Sequence, residues 1–114
     1  MAKTLNEVSR ELKDFIVELQ SDAHNIGGVN KYRYNNLKVS ISDPRTTKNP
    51  EIVVSVGMSE ATFNLNTREK ISGGLGPDER YIIRWLGRDS TYHDLKDIYQ
   101  QAVANIGKAN SKGG

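Results

Sequence analysis

The feature that most constrains this chain is the alternation of apolar and polar residues between Leu37 and Leu65. Leu37, Val39 and Ile41 alternate with Lys38, Ser40 and Ser42; Ile52, Val54 and Val56 repeat the pattern; Ala61, Phe63 and Leu65 enclose Thr62 and Asn64. Successive side chains of an extended chain point to opposite sides, so each stretch predicts a strand with one apolar and one polar face. Val53 adds partial burial on the second strand's other side. The connections are short. Asp43 to Pro50 has two prolines and no apolar residue, Gly57-Met58-Ser59-Glu60 reads as a hairpin turn, and Asn66 to Glu69 reverses the chain again. Lys70-Ile71-Ser72 leaves room for a short fourth strand. Strands joined this closely form an antiparallel meander, and its apolar face needs a cover.

Three amphipathic segments can supply that cover. Leu5, Val8, Leu12, Phe15, Ile16 and Leu19 recur at spacings of three and four, which predicts a helix over 4–22. Thr4 and Glu7 form a capping box at its start, and Gly27-Gly28 is expected to end it. Its outer face is acidic: Glu7 with Glu11, and Asp14 with Glu18, are like-charge neighbours one turn apart. A second helix opens at Gly76-Pro77, with Asp78 and Glu79 in its first turn, buries Tyr81, Ile82, Trp85 and Leu86, and stops at Gly87. A third starts at Ser90 or Thr91, carries the stripe Leu95, Ile98, Tyr99, Ala102, Val103 and Ile106, and stops at Gly107. The expected fold class is α+β, a two-layer antiparallel meander of three to four strands with helices on one face, in the order α-β-β-β-(β)-α-α. Trp85, Phe63, Phe15, Leu12 and Ile98 are the expected centre of the core. The 114 residues allow one such core, so residues 1–107 are read as a single domain and 108–114 as a flexible polar tail.

Composition removes several classes of chemistry. There are no cysteines, hence no disulfide framework, thiolate metal site or cysteine nucleophile. No apolar run approaches the roughly 18 residues of a membrane span, and Met1-Ala2-Lys3-Thr4 leads into the first amphipathic pattern without an apolar signal region. A cytoplasmic protein without membrane attachment is expected. The formal net charge is only +2, but its distribution is uneven. Between residues 31 and 50, Lys31, Arg33, Lys38, Arg45 and Lys48 face a single acid, Asp43.

From Glu60-Ala61-Thr62-Phe63-Asn64-Leu65-Asn66-Thr67 through Lys70, Gly73, Leu75 and Trp85, the chain resembles a family of small bacterial proteins of unknown function, some encoded in toxin–antitoxin-like gene pairs. The resemblance spans about residues 34–105. It implies a hairpin, a glycine hinge and a tryptophan-bearing helix, and the context of a prokaryotic or phage accessory protein. The family's H-x-P-P-H-x-H loop is represented here by Thr47-Lys48-Asn49-Pro50-Glu51-Ile52-Val53. Only Pro50 matches, so the resemblance implies no metal or acid–base role.

The residues themselves point to no reaction. His24 and His93, the only histidines, belong to different predicted helices. A metal site needs both to converge with carboxylates. Gly73-Gly74-Leu75-Gly76-Pro77 precedes a helix but lacks the Gly-Lys-Ser/Thr of a phosphate loop. The acids Asp78 with Glu79 and Asp94 with Asp97 sit at helix starts, where capping accounts for them, and no serine has a nucleophile-elbow context. Gly113-Gly114 is read as a flexible end. The expected protein is therefore no enzyme, takes no cofactor and binds no metal. It is expected to be a protein–protein interaction or regulatory module, whose contact is the acidic first helix or the exposed sheet face and edge. The alternative is a nucleic-acid-binding module. Lys31, Tyr32, Arg33, Tyr34, Lys38, Arg45 and Lys48 interleave phosphate-neutralising cations with aromatic platforms. The same residues also suit an edge strand blunted by charge.

Overall fold

The computed structural model describes residues 3–24 and 34–113, with side chains for 3–19 and 34–106. The order is α1 (Leu5–His24), β1 (Leu37–Ile41), β2 (Glu51–Val56), β3 (Ser59–Asn64), β4 (Lys70–Gly73), α2 (Glu79–Leu86) and α3 (Asp89–Gly113), with a 3-10 turn at Gly76–Asp78 leading into α2. The four strands form one antiparallel sheet in the order β1-β2-β3-β4. This is the expected α+β meander, with the fourth strand present.

Register follows the alternation. Val39, Val54 and Ala61 align across three strands, as do Ile41, Ile52 and Phe63. All but the half-buried Ile41 are buried, so the apolar set falls on one face. The other face carries Lys38, Ser55 and Glu60 in one row and Ser40, Val53, Thr62 and Ser72 in the next. The β2–β3 reversal needs only Gly57 and Met58, so Ser59 and Glu60 belong to β3 rather than to the turn. Gly57 takes φ 61 there, a left-handed value glycine adopts without a Cβ clash.

The two sheet edges are treated differently. Beside β1, the Val39 amide donates to the Ser9 hydroxyl at 2.8 Å, and that hydroxyl donates to the Leu5 carbonyl at 2.7 Å. A side chain of α1 thus satisfies an edge amide that would otherwise be left in the seam between helix and sheet. At the other edge, all four residues of β4 are exposed. Its pairing slips at a bulge between Thr62 and Phe63. Gly73 closes the strand at φ 78, where an added Cβ would run into the Glu60 carbonyl oxygen.

The core joins Val8, Leu12 and Ile16 of α1, the inner sheet face, Tyr81, Ile82, Trp85 and Leu86 of α2, and Leu95 of α3. Phe15 and Ile98, expected at its centre, are only partly buried at its rim. The Arg88 guanidinium covers the Phe15 ring at 5.3 Å from its centroid and also bonds Glu11 at 3.1 Å. Helix α3 starts two residues before Thr91, which is itself buried, and runs through Gly107 to Gly113. Glycine costs a helix only about 1 kcal/mol, and no proline follows to force an end. The expected stop of α1 at Gly27-Gly28 lies outside the described residues.

Trp85 is 1% exposed. Trp85→Ala should lower unfolding free energy by about 3–5 kcal/mol, measured by urea denaturation, against the 5–15 kcal/mol typical of whole domains. A loss under about 1 kcal/mol, or solvent-like tryptophan emission from the native protein, contradicts this core.

Candidate functional site

The described part of the basic segment is spread out rather than gathered. Lys31, Tyr32 and Arg33 lie outside the described residues. Tyr34 is 2% exposed, and its hydroxyl donates to Asp78 Oδ1 at 2.9 Å. The ring belongs to the core and offers no face for a base to stack on. Arg45 is turned onto its own loop: Nε and Nη2 donate to the two carboxylate oxygens of Asp43 at 3.1 and 2.8 Å. This bidentate contact lowers the Asp43 pKa and raises that of Arg45. Lys38 and Lys48 are exposed, but they belong to opposite ends of the β1–loop unit, with about 13 Å of strand between Lys38 and the loop.

Asp78 corrects the expectation that capping accounts for the acids at helix starts: its side chain makes no capping hydrogen bond to α2. It is 4% exposed, and the strand-preceding Tyr34 reaches it across forty-four positions of sequence. Asp78 also lines, with Val56, Gly57, Ser59 and Leu75, a shallow cavity of about 280 Å³. His93 does not line it. That histidine is exposed on α3, edge-on to Tyr92 at 5.8 Å. The His24 side chain is outside the described set. Among the described residues, no three His, Asp or Glu side chains are grouped to hold a metal ion.

The glycine hinge is occupied by the protein's own carboxylate. Glu79 Oε1 accepts the Leu75 amide at 2.9 Å and Lys70 Nζ at 3.1 Å. An anion position at this helix start is thus already filled, and both contacts hold the Glu79 pKa below its ordinary value, the amide contributing most.

The same ion pair organises a surface that the sequence patterns did not single out. Lys70 is next to Ile71 in β4, and Glu79 is one turn from Ile83 in α2. The pair therefore stitches a strand with one exposed isoleucine to the helix face that carries another, 50% and 43% exposed respectively. Around Ile83, Arg80, Arg84 and Gly87 are also exposed. Arg68 fastens the preceding turn to the far end of α2: it adopts φ 63, donates from Nε to the Leu86 carbonyl at 3.1 Å, and lies 5.3 Å from the Tyr92 ring centroid. Left-handed backbone at a non-glycine residue is uncommon, and here it aims a cation at the negative end of a helix. One sequence signal for this surface was available. Ile83 falls outside the Tyr81, Ile82, Trp85 and Leu86 stripe, so it had to face away from the core.

No helix is long and apolar enough to cross a membrane among the described residues. No family model matches the chain, and neither the curated proteins nor the solved structures contain a match.

Because the folded Glu79 pKa is lowered, its contribution to stability is complete above the ordinary carboxylate range. That contribution is lost as pH falls through the lowered folded value. Glu79→Gln should therefore flatten the acid limb of a pH–stability curve while leaving stability above neutrality only modestly reduced. Parallel acid limbs in the two proteins contradict the assignment.

Proposed function

We propose that this protein is a small non-enzymatic interaction module whose contact surface is the β4–α2 side of the domain, and that it serves a prokaryotic or phage host in the cytoplasm as an accessory or regulatory protein. One observation carries the reading. Two of the large apolar side chains left exposed, Ile71 and Ile83, lie on elements tied to each other by the Lys70–Glu79 pair. They stand on a strand edge and a helix anchored by four buried residues. Rigid, partly apolar surface rimmed by charge is what protein partners use. The host context rests on the resemblance alone.

The test is to immobilise the protein and a variant with Ile71→Lys and Ile83→Lys, both shown folded by circular dichroism, and pass a bacterial lysate over each. A partner retained by the parent and released by the variant is the expected result. Equal retention by both rules this surface out. In a parallel titration with oligonucleotides, shifts at Lys38 and Lys48 that disappear with added salt would favour the nucleic-acid alternative.

A further inference from the structure

Resting on that reading, we infer that the outer face of α2 is built to receive an acidic, partly apolar segment of another protein. Arg80 and Arg84 are one turn apart on the exposed side of this helix, with Ile83 between them and Gly87 one turn beyond. Neither arginine has a carboxylate partner among the described residues. The one acid in the helix, Glu79, is committed to Lys70 and the Leu75 amide. Arg84 lies in the last turn, where the helix dipole favours a cation. Arg80 has no such justification. It stands in the first turn, which favours anions, and one turn from a like charge, which disfavours an isolated helix. Its local contacts are to a neutral ring: the guanidinium is 5.0 Å from the Tyr81 centroid, and Nη2 donates to the Tyr81 hydroxyl at 3.2 Å.

The surroundings narrow the partner. A second copy meeting this face through a two-fold axis would set two Arg80–Arg84 pairs against each other. A phosphate backbone would satisfy the arginines but leave Ile83 and Ile71 without apolar cover. A segment with acidic residues flanking apolar ones satisfies both, and arginine is among the residue types that dominate binding energy at protein interfaces. Gly87 lets a partner's backbone come close at the end of the ridge.

The probe is an amphipathic peptide of leucine and glutamate, with a control in which lysine replaces every glutamate, titrated into the isotopically labelled protein and followed by amide shifts. The leucine–glutamate peptide is expected to shift residues 79–87 and Ile71. Arg80→Glu with Arg84→Glu should weaken it about tenfold and make the lysine peptide the better ligand. The inference is overturned if the peptide does not bind, if both proteins bind it equally, or if duplex DNA competes for α2 more strongly. It is also overturned if the parent protein dimerises through this face in sedimentation. Should a lysate partner be lost with the Ile71 and Ile83 variant but kept with the arginine variant, the interaction reading stands and the acidic segment falls.

Discussion

A sheet with one apolar and one polar face has to be roofed on one side only, and most of this structure follows from how that roof is divided. α1 lies along the β1 side, where Ser9 takes the Val39 amide. α2 lies toward β4, where Lys70 and Arg68 hold it through Glu79 and the Leu86 carbonyl. Arg88, just past α2, closes the gap to α1 through Glu11 and Phe15. The polar contacts at the seams are single and specific, whereas the driving force beneath them is burial of the shared apolar face.

The division leaves unequal edges. A strand edge with unpaired backbone groups invites further pairing, and natural sheets cover or blunt it. Here β1 is covered by a helix. β4 is instead short, bulged and ended by a glycine in a left-handed conformation. These devices discourage a regular added strand on the side where the exposed side chains of Ile71, Ile83 and the arginines of α2 lie.

Much of the fold was legible because periodicity reports which way a side chain points. The strands, the capping box of Thr4 and Glu7, the proline-led entry to α2 and the burial of Trp85, Phe63 and Leu12 all follow from local pattern. What local pattern does not carry is pairing across distance. Tyr34 and Asp78 each look polar and exposed in sequence, and only the fold brings phenol to carboxylate in a buried site. Arg45 looks like a free cation until its loop folds it onto Asp43. Phe15 and Ile98 sit on the right faces of their helices but beyond the reach of the sheet's centre, a limit set by helix placement rather than by spacing. The candidate surface is a residue of the same logic: Ile83 is visible as the apolar side chain left over when α2's stripe is filled.

The claim that one edge is sealed by a helix while the other is open is tested most directly by residue-resolved amide hydrogen exchange in the native protein. The account predicts that Val39 exchanges about as slowly as the interior amides of β2. Ser9→Ala should speed its exchange, while amides of Lys70–Gly73 that do not face β3 exchange freely in both proteins. If Val39 exchanges as fast as a loop amide, or if β4 is protected throughout in the isolated protein, the division of the roof described here is wrong.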